Sequence, residues 1–329
     1  MAGIGQVESQ RGEERVPPRQ PTAHYSATFT AVDRPGRHLR LTVATIHELF
    51  ERRLWCYLGP FRNLMETLMF AFGENCNSFS RLVTEDRIKS AEEGLLRLFP
   101  KGELSAKPFF DIGCGSGLSM VAALRLGASE AHGIDVDADS VSTSQRTLEL
   151  FAGGKQFSIR HQSVFDLSPE RDGRYPIVYS WGVLHHTGAM WKAIEKACAM
   201  VAPKGLLAIA LYRSTPLCPA WKLEKRLYSQ APAIMQKVVR GAYKGAVMAK
   251  VIASGKRPAD HIRGYHTRGM SWSHDVHDWL GGYPYESTYP EAVIEFLKRN
   301  GLTAKLIGVD TAPIGLMGTG CREYVAARD

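Results

Sequence analysis

Pro108-Phe109-Phe110-Asp111-Ile112-Gly113-Cys114-Gly115-Ser116-Gly117-Leu118-Ser119-Met120 is the stretch that decides how this chain of 329 residues folds. An apolar run ends in an acid, three glycines follow at alternate positions, and Val121 to Leu126 is again mostly apolar. That order predicts a buried strand, a tight turn and the start of a helix. Glycine has no Cβ, so such a turn can take positive φ and let a bulky group touch main chain, where the free N–H groups of the helix start point outward. The dinucleotide fingerprint requires its third glycine three residues after the second. That position is Leu118, and the third glycine is Gly117, so the pattern is Gly-x-Gly-x-Gly and argues against a nicotinamide dinucleotide. Further along, Ala131-His132-Gly133-Ile134-Asp135-Val136-Asp137 predicts a second short strand ending in an acid, where the Asp135 carboxylate could accept both hydroxyls of a ribose.

Alternating strand and helix signals continue from there, with strands expected near 108–112, 130–135, 156–160, 176–181 and 205–211. Such alternation requires a parallel, doubly wound sheet, whose ligands sit beyond the carboxyl ends of the strands. A helix from Pro290 to Asn300, a stop at Gly301 and strands near 302–309 and 322–327 close the chain.

Four stretches in order resemble the motifs of class I S-adenosylmethionine-dependent methyltransferases. Phe110 to Gly117 resembles the first motif, and Ser163-Val164-Phe165-Asp166-Leu167 is similar to the segment after the third strand. Ile177-Val178-Tyr179-Ser180-Trp181-Gly182-Val183-Leu184-His185-His186-Thr187 is similar to the fourth strand and its exit, and Ala202 to Ala210 to the turn and fifth strand. The resemblance covers Lys107 to Tyr212 and implies a Rossmann-like α/β fold, a mostly parallel seven-stranded sheet and S-adenosyl-L-methionine as cofactor. It implies Asp111, Gly113, Cys114, Gly115 and Gly117 around the methionine end, Asp135 on the ribose and Val136 on the adenine face. Ser163 and Val164 would meet the adenine edge, with Ser180 and Trp181 at the end of the fourth strand. The expected reaction is methyl transfer to an oxygen or nitrogen of a small-molecule or natural-product acceptor. His185 and His186, at the lip of that site, and Glu286 are the candidates for removing the acceptor's proton.

Residues 1–27, polar with Pro17, Pro18 and Pro21, are expected to form a disordered tail. They contain no apolar core of a secretory signal, which favours the cytoplasm. Over 28–106, three apolar series at helical spacing, from Val43, Phe61 and Leu82 onward, predict an N-terminal helical cap. Residues 107–212 form the expected cofactor-binding core, 213–289 an insertion between strands five and six, and 290–329 the terminal helix and hairpin.

The net charge of +8 is gathered in that insertion. Arg213 to Arg268 holds twelve Lys or Arg against Glu224 and Asp260, which gives +10 and leaves −2 for the rest. Leu227, Ile234, Met235, Val238, Ala242 and Val251 predict a long basic amphipathic helix interrupted near Gly241 or Gly245. Three roles are open to it: a solvated face, a lid that attracts an anionic acceptor, or a membrane-surface helix that reaches a lipid-linked one. Arg268 to Glu286 then crowds Trp272, Trp279, Tyr283 and Tyr285 among histidines and acids. An RNA methyltransferase would exploit the charge, but no RNA-binding module signature is present. A non-catalytic cofactor-binding scaffold shares the same fold signals. The six cysteines are scattered without Cys-x-x-Cys spacing, and Asp275, His277 and Asp278 complete no ligand set, so no metal is expected.

Overall fold

The computed structural model describes residues 28–32, 38–42, 83–263, 271–310 and 320–329. The first of these form a small unit of their own, in which β1 (Thr28–Val32) and β2 (His38–Thr42) pair antiparallel from Thr28 opposite Thr42 to Val32 opposite His38. The region expected as a helical cap therefore begins with a strand pair. Its signal is a period of two, with Leu39 and Leu41 set between His38, Arg40 and Thr42. The tail 1–27 and the first two cap helices, over 43–82, lie outside the described residues.

In the larger unit the third cap helix is present as α1 (Glu85–Leu98), which buries Ile88, Ala91, Leu95 and Leu98 in the core. The sheet is built by β3 (Phe109–Ile112), β4 (Glu130–Asp135), β5 (Gln156–His161), β6 (Tyr175–Trp181), β7 (Val201–Tyr212), β8 (Leu302–Asp310) and β9 (Cys321–Arg328). Its order is β5-β4-β3-β6-β7-β9-β8, and every pairing is parallel except those that β9 makes with β7 and β8. The expected seven-stranded, mostly parallel, doubly wound sheet is thus the observed one. The order reverses at β3, so the crevice where ligands of such sheets bind opens between the ends of β3 and β6.

All four residues of β3 are buried because helices cover both faces. Phe109 packs with α1, α2 (Leu118–Arg125) and α3 (Ala138–Phe151), whereas Phe110 and Ile112 pack on the other face with α5 (Met190–Ala199) and α10 (Pro290–Arg299). Between α3 and α5 the only other α-helix among the described residues is the short α4 (Pro169–Asp172).

A third apolar cluster grows from Ala210 and Tyr212, at the carboxyl end of β7. It is covered by α6 (Cys218–Gln230), α7 (Ala233–Ala253) and α9 (Trp272–Gly281), with α8 (Pro258–Arg263) between the last two. The insertion returns along the strand end: Thr288 N–H donates to Tyr212 O at 3.0 Å, and Ser214 N–H to Thr288 O at 2.8 Å. It accordingly closes over the same edge of the sheet at which the crevice opens. The expected break near Gly241 or Gly245 is absent; α7 runs through both, and the chain turns instead at Ala231-Pro232, where proline ends one helix and opens the next.

Candidate functional site

The glycine loop lies at the end of β3, and its backbone needs the residues it has. Gly113, Gly115 and Gly117 have φ of 78°, 54° and 76°. A Cβ on Gly113 would lie 2.5 Å from both methyls of Val183, which follows β6, so the first glycine is also where the exit of the fourth core strand presses on the loop. A Cβ on Gly117 would come within 3.1 Å of the Ser144 backbone of α3.

Asp135 binds this loop to β4. Gly115 N–H donates to its Oδ2 at 2.9 Å and Asp137 N–H to its Oδ1 at 3.0 Å. Burial raises the carboxyl's pKa, and these backbone donors oppose the shift. The Val136 N–H adds a third backbone donor, and since a carboxylate has about four lone-pair sites, acceptor capacity for a further donor is left. Asp137 caps α3 by accepting from Asp139 and Ser140 N–H, which fixes the turn on which Val136 sits. Val136 is 54 % exposed, a β-branched side chain open to solvent beside the acid. Its carbonyl lies 2.8 Å from His161 Nε2. Asp111 is buried at the end of β3.

Other residues that the sequence singled out hold the loop from behind. Ser180, with no exposure, donates its hydroxyl to Ile112 O at 2.8 Å, and Trp181 donates its indole N–H to Glu323 Oε1 at 2.7 Å. Cys114 is buried, and burial raises its thiol's pKa well above the usual range, with the Asp111 and Asp135 carboxylates adding to the shift. Its side chain packs on β4: Gly133 has no side chain because Cys114 and Met120 occupy the space one would need. Ser163 accepts from Phe165 N–H at 3.3 Å and opens a short 3-10 turn over Val164–Asp166 in which Val164 is buried.

The candidates for proton removal are brought together beside Tyr212 and the start of α5. His185 and His186 lie in the 3-10 turn after β6, and their rings stand 4.0 and 5.4 Å from that of Tyr212. His185 has no exposure and burial lowers its pKa well below the usual range; neither ring nitrogen makes a hydrogen bond of good geometry, although the Ala210 backbone is close enough to oppose the shift. His186 Nδ1 lies 2.8 Å from Pro284 O, and burial brings its pKa down to about 4. Gly282, at the end of α9, fits against this ring with no room for a Cβ. Glu286 accepts from Met190 N–H at 2.9 Å and so caps α5, while its own N–H donates to His185 O. Among the described residues no group of three His, Cys, Asp or Glu could hold a metal ion.

Sequence reasoning missed Lys225 of α6. It is fully buried, lies 3.6 Å above the Trp279 ring and donates to Trp279 O, one of the last carbonyls of α9. Burial pulls its pKa down and that of the neighbouring Glu224 up.

With that geometry in place, residues 83–272 match the family model described as a methyltransferase domain. The chain belongs to the methyltransferase domain family. The match spans more than half of the chain and takes in the glycine loop, Asp135, the two histidines and most of the insertion. A ubiquinone biosynthesis O-methyltransferase of Xanthomonas euvesicatoria is 31 % identical over 114 residues, which are 35 % of this chain and 46 % of that relative. A ribosomal protein L11 methyltransferase of Mannheimia succiniciproducens is 47 % identical over 47 residues, 14 % of this chain and 16 % of the relative. The alignments thus span less than half the length of either relative. Among solved structures, a magnesium protoporphyrin IX methyltransferase from Synechocystis with bound SAH is similar, with 17 % identity, a TM-score of 0.46, and 74 % of this chain and 84 % of that one covered.

Proposed function

We propose that this chain transfers the methyl group of S-adenosylmethionine to an oxygen or nitrogen of a small-molecule acceptor. The observation that carries the reading is the bond between Gly115 N–H and Asp135, which joins a left-handed glycine loop and a strand-end acid into one rigid cradle at the switch point of a methyltransferase-family sheet. Its parts fit the cofactor. The three glycines leave the main chain open to the methionine portion near Asp111, Asp135 keeps acceptor capacity for a ribose hydroxyl, and exposed Val136 offers an apolar face to adenine. Ser163 and Val164 stand at the next strand end for the adenine edge.

When bound, S-adenosylmethionine supplies a methyl carbon already activated by its sulfonium, so the protein's task is alignment and loss of the acceptor's proton. Ser180 and Trp181 keep the β6 end fixed against β3 and β9, which holds the two sides of the crevice in register. His185, His186 and Glu286 support the same wall: two neutral rings packed on Tyr212 and a carboxylate that caps α5. A ring with a pKa of about 4 is a weak base at neutral pH, so the reading favours acceptors that give up their proton readily, such as acidic hydroxyls.

Incubation with methyl-labelled S-adenosylmethionine and a cell extract, followed by separation into small molecules, RNA and protein, tests the proposal. Label in the small-molecule fraction, lost with Asp135→Ala, is the expected result. Label confined to RNA or protein overturns the acceptor class, and no label together with no binding of S-adenosylhomocysteine overturns the reading altogether.

A further inference from the structure

The charge of the insertion is not where its count suggests. At about 100° per residue, Ile234, Val238, Ala242, Gly245, Ala249 and Ile252 fall within an arc of roughly 80° on the face of α7 opposite buried Val247. Every one of them is exposed, and that arc contains no charged residue over the 21 residues of the helix. The cations lie elsewhere. Arg240 and Lys244 turn toward α6 and α9, where Lys244 reaches Ser273 Oγ at 2.5 Å and lies over the Trp272 ring, and Arg240 acts on Tyr228 and His277. Lys237 and Lys250 flank the apolar arc on its two sides.

The preceding helix repeats the arrangement. Lys225 and Tyr228 of α6 are buried, and Leu223 and Leu227 point the opposite way with 60 % and 62 % exposure. In α7, Ile234 and Val238 are 76 % and 63 % exposed. A helix pair that covers a core ordinarily turns its charges outward, whereas here large aliphatic side chains face out and lysines rim them.

We infer that the outward faces of α6 and α7 form a docking surface for an anionic lipid bilayer. Charge decides between occupants. A second copy of this chain would bring the same rim of Lys222, Arg226, Lys237 and Lys250 against the first, which is repulsive, while a bilayer rich in acidic headgroups complements that rim and takes the aliphatic side chains into its interfacial layer. The surface lies on the bilayer and does not cross it: no helix among the described residues is long and apolar enough to span. The insertion closes over the carboxyl end of β7, so docking there would set the crevice near the headgroups. The inference stands independently of methyl transfer, since its readout is binding.

Sedimentation of the full chain with phosphatidylcholine vesicles, with and without about a third of phosphatidylserine, tests it. Binding should be about tenfold or more tighter to the anionic vesicles and should weaken as salt rises past about 0.15 M. The double variant I234E/V238E should lose about tenfold or more of that binding, with its thermal midpoint and its calorimetric response to S-adenosylhomocysteine matching the parent's. Replacing Lys222, Lys237 and Lys250 by Gln should remove the preference for phosphatidylserine. Equal binding to both vesicles, or an I234E/V238E variant that binds like the parent, overturns the inference. So does a dimer in sedimentation velocity that I234E/V238E dissociates while vesicles retain nothing, since the face would then serve self-association.

Discussion

Gly113→Ala strains the site in two separable ways. At φ 78° an alanine pays the left-handed penalty of about 1–2 kcal/mol. Its Cβ would also stand 2.5 Å from both Val183 methyls, a contact that forces the β6 exit off the loop at about 1–3 kcal/mol, the usual cost of overpacking. The sum, about 2–5 kcal/mol, should appear in urea unfolding of the full chain. Combining it with Val183→Gly, which removes the clashing methyls, should return the second part and leave the first. The four-protein cycle should therefore show a coupling of about 1–3 kcal/mol, beyond the few tenths expected of independent sites. Additivity of the two substitutions within about 0.5 kcal/mol would refute the claim that the fourth-strand exit rests on the first glycine.

Other outcomes follow from the buried groups. His186 titrates near 6.5 when unfolded and at about 4 when folded, so the unfolded chain binds more protons between those values. Its contribution is complete above pH 6.5 and is lost as pH falls toward 4, about 2 kcal/mol by pH 5; His186→Gln should flatten that part of the urea-measured stability profile, and an unchanged slope would show the ring to be solvated. Lys225→Met should cost about 1–3 kcal/mol in the same assay, because Trp279 O at the end of α9 loses its donor inside an aromatic cluster; a neutral substitution would mean that the amine contributes nothing there. Cys114, buried and held as the thiol, should resist iodoacetamide at neutral pH until the chain unfolds, and rapid labelling of the native protein would contradict its packing role.

The sheet was legible because each strand-helix alternation is local, and the apolar run before Gly113 reports burial on two faces within four residues. The cradle was legible for a related reason, since its glycines and Asp135 occupy neighbouring strand ends whose order follows from the chain. Partners distant in sequence were not. Trp181 meets Glu323 across 142 positions and Met190 meets Glu286 across 96, and a single sequence carries no signal for either. Glu286, a candidate for chemistry by residue type, is therefore seen as a helix cap only once the insertion folds back. Lys225 enters the sequence only as one of the insertion's twelve cations for the same reason: composition records a charge, and burial depends on which way its helix faces. The lysines of α7 show how a correct count can still mislead, because +10 says nothing about the angle at which each charge leaves the helix. The strand pair over 28–42 had a visible period of two, but strands of five residues are too short to outweigh the helical spacing that begins at Val43.

Calorimetric titration of S-adenosylhomocysteine into the parent chain and Asp135→Ala tests whether the glycine loop and Asp135 hold the cofactor. Saturable one-to-one binding to the parent is expected, with a loss of about 1–3 kcal/mol in the variant, the scale of unmade hydrogen bonds to a charged group, and the sheet intact by circular dichroism. Equal affinity for both proteins, or no binding to the parent, would contradict that role.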